Sequence, residues 1–234
     1  MKNKKIAVIP AAGMGIRMGV SVPKQFLLIQ DIPILALTLM VFQESDHIDH
    51  IIVTVPKDEI KRCEQDIIEK YNITKTYKVV AGGKSRQDSV RLGLYAAQQI
   101  ANDNDLVLIH DGVRPFINEG LITNLIEEAQ SHKAVVVGIP AKDTVKEVDE
   151  NGYVVNTLRR ESLWLIQTPQ VFRFKDILYA HKKAYSESWK GITDDAMLLE
   201  RLGLSVKVIM GSEDNIKITT PSDLKLAEFL LKKE

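Results

Sequence analysis

Residues 6–19 read Ile6-Ala7-Val8-Ile9-Pro10-Ala11-Ala12-Gly13-Met14-Gly15-Ile16-Arg17-Met18-Gly19, and Pro23-Lys24-Gln25 follow shortly after. The stretch opens as a short apolar run, which suits a strand buried on both faces of a parallel sheet. It then breaks into small residues and glycines. Gly13, Gly15 and Gly19 let the backbone turn tightly and approach a ligand, because no Cβ stands in the way. Backbone N–H groups in such a loop suit phosphate oxygens, and Arg17 and Lys24 add full positive charge. The segment is expected to cradle a polyphosphate. A dinucleotide fold wants G-x-G-x-x-G running into a helix; here the third glycine comes one place late, and Pro23 limits a helix from Gly15 to about two turns. A P-loop ends in Gly-Lys-Ser/Thr, and no such tripeptide occurs in this stretch. A plain turn with surface cations is the alternative that the stretch leaves open by itself.

Outward from this loop, apolar runs alternate with segments of helical period, the pattern of an α/β fold with a mainly parallel sheet. Strands are expected at Ile51 to Val55, Lys78 to Val80, Leu106 to Ile109, Ala134 to Ile139, Trp164 to Gln167 and Val206 to Met210. Helices are expected at Ile34 to Gln43, Asp58 to Lys70, Ser85 to Ala101, Glu119 to Ser131 and Phe174 to Ser188. Two more are marked by caps: Thr193 before a helix reaching Leu202, and Thr220 with Pro221 at the first position of a C-terminal helix. From Lys142 to Arg160 acidic residues and Asn151-Gly152, a hairpin-turn signal, interrupt short β-branched pieces. A protruding β-hairpin arm is expected there. A lone hairpin is marginal in water, so the arm should pack on something, a second subunit being the natural choice. No repeat, low-complexity tract or linker divides the chain. Residues 1–234 therefore read as a single Rossmann-like domain, a twisted sheet flanked by helices, with the arm inserted over about 142–160.

A chain of 234 residues has ample length for a core. Lys+Arg and Asp+Glu balance at 31 each, so no overall field favours nucleic acid or an acidic membrane surface. No apolar run approaches the roughly 20 residues that span a bilayer. Met1-Lys2-Asn3-Lys4-Lys5 has charge but no long apolar region or cleavage site after it. Cys63, the single cysteine, excludes an internal disulfide and any multi-cysteine metal site. The expectation is a cytoplasmic protein with neither a nucleic-acid nor a membrane partner.

Ligands of open parallel sheets bind outside the carboxyl ends of the strands. On this reading those ends carry Gly13 to Lys24, Gly82 to Ser89, Asp111 to Arg114, Thr168 and Lys217. Four cations, Arg17, Lys24, Arg114 and Lys217, would thus meet one carboxylate, Asp111. The mixture suits a Mg²⁺-nucleotide, since Mg²⁺ prefers phosphate oxygens plus one or two carboxylates. An ion pair or turn at a strand end is the blander alternative for Asp111 and Arg114. The five histidines are scattered, and no Ser/His/Asp or Cys/His arrangement fits covalent catalysis. That suits phosphoryl or nucleotidyl transfer, in which positioning and charge stabilisation do most of the chemistry.

Pro10-Ala11-Ala12-Gly13-x-Gly15-x-Arg17-Met18 with Pro23-Lys24-Gln25 resembles the nucleotide loop of the sugar-phosphate nucleotidyltransferases. Gly82-Gly83-x-x-Arg86-x-x-Ser89-Val90, His110-Asp111-x-x-Arg114-Pro115, Asp143-Thr144 and Arg160 extend the likeness. So do Thr168-Pro169-Gln170, Ile192-Thr193-Asp194-Asp195 and Asp214-Asn215-Ile216-Lys217. Together they resemble the 2-C-methyl-D-erythritol 4-phosphate cytidylyltransferase family of non-mevalonate isoprenoid synthesis, over nearly the whole chain and in the family's order. The resemblance implies that CTP and a polyol phosphate, 2-C-methyl-D-erythritol 4-phosphate, give the CDP-alcohol and pyrophosphate by in-line attack on the α-phosphorus. It implies that Arg17 and Lys24 stabilise the pentacoordinate phosphorus and the leaving pyrophosphate. Ala11, Ala12, Gly83 and Ser89 would hold the cytidine, Gly13 and Gly15 would belong to the same nucleotide loop, and Asp111 would lie beside Mg²⁺ and the ribose. Thr144, Arg160, Thr168, Thr193 and Lys217 would hold or aim the acceptor phosphate, with Arg114 close by. In the family the arm crosses a dimer interface, so a homodimer would place Thr144 and Arg160 in the partner's site.

The chain departs from the commoner family pattern at Gly112-Val113, at Ile16 where some members carry a second arginine, and at Lys84 where relatives can be acidic. The nearest rival is ribitol-5-phosphate cytidylyltransferase, whose loop tends to read Leu-Ala-Gly-Gly and which usually lacks the Ile-Thr-Asp-Asp run. A nucleotide-binding regulatory module without catalysis is a rival of another class. Arg17, Lys24, Asp111 and Lys217 together count against it, since binding alone needs fewer cations.

Overall fold

Lys5–Pro10 (β1) is buried along its four central residues, because other strands flank it and helices cover both of its faces. The computed structural model describes residues 3–13 and 23–232, so Gly15 and Arg17 of the expected nucleotide loop lie outside the described residues. A small hairpin (β2, Leu28–Ile29; β3, Ile32–Pro33) then leads into α1 (Ile34–Glu44). Next come β4 (His50–Val55), α2 (Ile60–Cys63), β5 (Thr76–Ala81), α3 (Arg86–Ala97) and β6 (Leu106–Ile109). The second half runs α4 (Glu119–Ser131), β7 (Ala134–Pro140), β8 (Lys146–Val148), β9 (Val154–Thr157), β10 (Trp164–Arg173) and α5 (Phe174–Ser186). It ends with α6 (Ala196–Glu200), β11 (Lys207–Met210) and α7 (Pro221–Leu231).

Seven strands form one sheet in the order β11-β7-β10-β6-β1-β4-β5. All neighbours pair in parallel except β10, which is antiparallel to both β6 and β7. The expected mainly parallel, Rossmann-like sheet is therefore present. From β1 the chain builds outward through β4 and β5, then crosses back to lay β6 on the other side of β1. The reversal opens a crevice at the carboxyl ends of β1 and β6, where a ligand can enter. Side chains alternate across the sheet with period two. Ala7, Ile9, Val53 and Leu108 pack with α1, α2 and α4, through residues such as Leu39, Phe42, Cys63 and Leu125. Ile6, Val8, Ile52 and Ile109 pack with α3, α5 and α6, through Leu94, Ile177 and Leu198. A smaller cluster of Ile29, Ile34, Val113, Phe116, Ile218 and Ala227 fastens α7 beside the crevice. Among the described residues no helix is long and apolar enough to cross a membrane.

Several boundaries differ from the sequence reading. The strand expected to stop at Gln167 runs through Thr168-Pro169 to Arg173, because Gln170–Arg173 pair with β6 and Gln170–Phe172 with β7. The helix expected over Asp58 to Lys70 is α-helical only at Ile60–Cys63 and widens to a π-helical segment at Glu64–Glu69. There Lys70 N bonds Gln65 O and, one turn on, Ile73 N bonds Ile68 O, a spacing that turns Ile67 and Ile73 into the core. α3 ends at Ala97 instead of Ala101, its last amides closing short turns onto Ala96 and Ala97. α5 ends at Ser186, two residues early, and Ser188 takes a positive φ of 53°. Thr193 does not cap α6; Asp194 Oδ1 accepts from Met197 N at 3.0 Å instead, while the Thr193 hydroxyl faces the Met197 sulfur. The arm is present as a separate two-stranded sheet, β8 against β9. Its turn rests on Asp149, whose Oδ1 accepts from Asn151 N and Tyr153 N, with Gly152 at a φ of +85°.

Candidate active site

At the crevice, a cleft of about 360 Å³ is walled by three backbone segments. The first is Pro10 to Gly13, leaving β1, with Lys24 beside it; the Lys24 Cε lies 3.8 Å from where a Cβ on Gly13 would stand. The second is the turn Gly82 to Ser89, leaving β5 and entering α3. A Cβ on Gly82 would stand 2.3 Å from the Cβ of Ala12, so only glycine lets these two loops meet. Ser89 Oγ accepts from Gly83 N at 3.1 Å and donates to Ser85 O at 2.9 Å, which fixes that turn. The third segment carries Asp111, just beyond β6, with Lys217 opposite.

Asp111 is the hub of the charges. Its Oδ1 accepts from Arg86 Nε at 2.7 Å and its Oδ2 faces Lys217 Nζ at 2.6 Å, with Arg114 Nε at 3.9 Å. Burial works against the Asp111 carboxylate, but Arg86 and Lys217 outweigh it and hold the group well below the usual carboxylate range. Arg86 also donates through Nη1 to the buried Asp195 at 2.7 Å, and His181 lies against the other oxygen of Asp195 at 3.1 Å. Burial lowers the affinity of Arg86 for its proton, yet Asp195 and Asp111 raise it further, so Arg86 stays charged.

Lys217 reaches Asp111 because its segment is tied down. Arg114 Nη1 donates to Asn215 O at 2.6 Å, Asn215 Nδ2 donates to Thr168 O at 2.9 Å, and Ile218 N bonds Val113 O at 3.0 Å. Beneath Asp111 runs a buried chain of bonds. The Arg114 carbonyl can only accept, so His110 Nε2 carries the proton and donates to it at 2.9 Å. His110 Nδ1 then accepts from Thr168 Oγ1 at 3.1 Å, and that hydroxyl accepts from Asp111 N at 3.1 Å. Burial pushes the His110 pKa down to about 4, which keeps the ring neutral near pH 7.

Of the residues singled out in the sequence, Ala11, Ala12, Gly13, Lys24, Gly83, Ser89, Asp111 and Lys217 line the cleft. Arg114 stands at its edge, against Asp111. The Thr168 hydroxyl is buried and engaged inside the protein. Thr193 is exposed on the segment before α6. Thr144 and Arg160 sit exposed at the base of the arm, where Arg160 Nη1 donates to Lys142 O at 2.9 Å; neither lines the cleft of its own chain. Arg86, Asp195 and Asn215 belong to the site as well, although the motifs that contain them do not by themselves point to it. A signal for Arg86 was available: a cation in the first turn of a helix opposes the helix dipole, so carboxylates from elsewhere must hold it.

The arrangement offers a crevice of backbone amides, several cations and one carboxylate. Among the described residues it provides no nucleophile with its base. Among the described residues no group of three or more His, Cys, Asp or Glu side chains could hold a metal ion alone. One carboxylate beside cations does suit an ion that arrives already held by phosphate oxygens.

A family model described as 2-C-methyl-D-erythritol 4-phosphate cytidylyltransferase matches residues 5–233. A protein of that name from Geobacter metallireducens is 49% identical over 228 residues, covering 97% of each chain. Another from Syntrophus aciditrophicus is 47% identical over 234 residues, covering 100% of this chain and 98% of its own. Among solved structures, the 4-diphosphocytidyl-2C-methyl-D-erythritol synthase of Anaerococcus prevotii superposes with a TM-score of 0.84 at 35% identity, over 98% of this chain and 96% of that one. The 2-C-methyl-D-erythritol 4-phosphate cytidylyltransferase of Francisella tularensis gives 0.83 at 34% identity, over 97% and 99%. A match of this extent, on a chain whose cleft brings together Ala11 to Gly13, Lys24, Gly83, Ser89, Asp111 and Lys217, establishes that the chain belongs to the 2-C-methyl-D-erythritol 4-phosphate cytidylyltransferase family.

Proposed function

We propose that the cleft binds CTP and presents its α-phosphorus to the phosphate of 2-C-methyl-D-erythritol 4-phosphate, in a cytoplasmic homodimer. The observation that carries this reading is the meeting of Lys24, Lys217 and Asp111 in one cleft at the ends of β1 and β6. The nucleoside fits between the Ala11–Ala12 backbone and the Gly82–Ser89 turn, where Gly82, Gly83 and Ser89 present little or no side chain. The triphosphate then runs toward Lys24 and Lys217, with Gly13 and Gly15 and the Arg17 cation on the same loop. An acceptor phosphate is already an anion near neutral pH, its second pKa lying near 6, so its attack needs no general base. That accords with a His110 whose two nitrogens are both engaged away from the cleft.

As the new P–O bond forms and the old one breaks, negative charge grows on the phosphorane and on the departing pyrophosphate. Lys24 and Arg17 offset that charge where it develops. Mg²⁺ carried in by CTP, with Asp111 as its protein ligand, would neutralise part of the triphosphate. Lys217 aims the acceptor phosphate, and Arg114, Thr168 and Thr193 are the further residues assigned to hold it. The arm exposes Val148, Tyr153, Val154 and Val155, and the neighbouring start of β10 exposes Leu165. A second copy covering this apolar surface would bring the partner's Thr144 and the partner's Arg160 to the acceptor.

A pyrophosphate-release assay crossing CTP, UTP and ATP with methylerythritol 4-phosphate and ribitol 5-phosphate tests the reading. Release is expected with CTP and methylerythritol 4-phosphate in the presence of Mg²⁺. Faster release with ribitol 5-phosphate, or release independent of any acceptor, rejects it.

A further inference from the structure

Arg86 has no part in the mechanism above, yet its side chain joins two distant buried groups. It is the first residue of α3. Nε holds Asp111 Oδ1 and Nη1 holds Asp195 Oδ2, each at 2.7 Å. Asp111 is 5% exposed and Asp195 1%. The Asp195 end is itself rigidly framed. Gln170 Oε1 accepts from Asp195 N and Ala196 N at 3.2 Å each, and Gln170 Nε2 donates to Asp194 Oδ2 at 2.7 Å. At the other end, a carboxylate whose Oδ1 is held by Arg86 leaves Oδ2 to face Lys217 Nζ at 2.6 Å. A planar guanidinium can hold two carboxylates in fixed directions at once, which a single ammonium cannot.

We infer that Arg86 is a positioning residue for nucleotidyl transfer. Anchored on Asp195, it sets the orientation of Asp111 and, through Asp111, the place of the Lys217 ammonium in the cleft. Asp195 is then the anchor that links α6 to the reaction centre, although it does not line the cleft. The inference rests on the cytidylyl-transfer reading, and wild-type turnover in the same assay tests that reading separately.

The test compares Arg86→Lys, Asp195→Asn and the double variant by steady-state kinetics, CTP calorimetry and thermal melting. Arg86→Lys keeps the charge and loses the fork. It is expected to melt within a few degrees of the wild type and to lose about thirtyfold or more in kcat/KM for CTP. Asp195→Asn should lose about tenfold. Because both act through one clamp, the double variant should be no more than about threefold worse than Arg86→Lys. A purely structural role would lower the melting midpoint and leave the kinetics of the folded enzyme unchanged, and that result overturns the inference. Losses that multiply in the double variant also overturn it. If Arg86→Lys fails to fold, Asp195→Asn decides alone: tenfold loss at an unchanged midpoint supports the inference, and wild-type kinetics reject it. CTP calorimetry reads the same clamp without turnover: at least tenfold weaker binding by Arg86→Lys is expected, and wild-type affinity counts against the inference.

Discussion

Lys24 lines the cleft beside Gly13, and in the proposed reaction its charge is wanted most once the phosphorane and the leaving pyrophosphate form. Lys24→Ala should therefore cut kcat by about a hundredfold or more, roughly 3 kcal/mol of transition-state stabilisation, with the acceptor KM changed only a few-fold. Arg17→Ala should act in the same direction. Steady-state kinetics check both, and near-normal turnover in the two variants rejects the role. His110 leads to a prediction about stability instead. Its pKa is depressed from 6.5 to about 4 in the folded chain, so between those values the unfolded chain binds the extra proton. Stability should fall as pH drops through that window, by about 3 kcal/mol in all from this one group. Asp111 and Asp195, both lowered, act in a separate range: their contribution is present above the unfolded carboxylate value near 4 and is lost below it. Urea unfolding of the wild type and His110→Asn between about pH 7 and pH 4.5 separates the two windows. The slope above pH 4.5 should flatten in the variant, and an unchanged slope would show that other groups carry it.

Two glycines show how packing decides within helices. Gly93 in α3 faces the sheet, where a Cβ would stand 2.6 Å from Val8 Cγ1 and 3.2 Å from Thr54 Cγ2. Alanine gains about 1 kcal/mol of helix propensity, but overpacking against a buried strand costs about 1–3 kcal/mol, so Gly93→Ala should destabilise. Gly120 in α4 meets only Asn118 Oδ1, at 3.5 Å, so Gly120→Ala should be neutral or stabilising. Chemical denaturation of both variants checks the contrast; stabilisation by Gly93→Ala would mean that α3 can lift off the sheet. Elements with local signals were legible in the sequence. Asn118 caps α4 by accepting from Leu121 N, and Thr220 with Asp223 forms a capping box for α7, with Pro221 just inside. Elements set by distant partners were less so. Antiparallel pairing with β6 and β7 carries β10 through Thr168-Pro169, and Asp194 instead of Thr193 accepts from the first turn of α6. The site divides in the same way. Small residues and cations in sequence order pointed to the nucleotide loops, whereas the Arg86–Asp195 contact depends on a side-chain geometry that spacing does not encode.

At the scale of the molecule, the arm decides whether one chain suffices. Among the described residues β8 and β9 pair only with each other and are exposed along their whole length, with Val154 at 58% and Val155 at 65%. Two strands alone bury too little to be stable, so a second copy is expected to cover them. Arg160, at the foot of the arm, does not line its own cleft. If the partner's cleft uses it, each active site combines Lys24 from one chain with Arg160 from the other. Arg160→Ala and Lys24→Ala homodimers should each be nearly inactive. After unfolding and refolding an equal mixture, half of the dimers should carry both variants, and each such dimer has one site with both residues intact. Random assembly of a two-fold dimer thus predicts recovery of about a quarter of wild-type activity. Were Arg160 to serve its own chain, every site would still lack one residue, and the mixture would show only the average of its parents. Heterodimer formation can be verified with distinct affinity tags, so activity that stays at the parental average in tagged heterodimers would place Arg160 outside the partner's site.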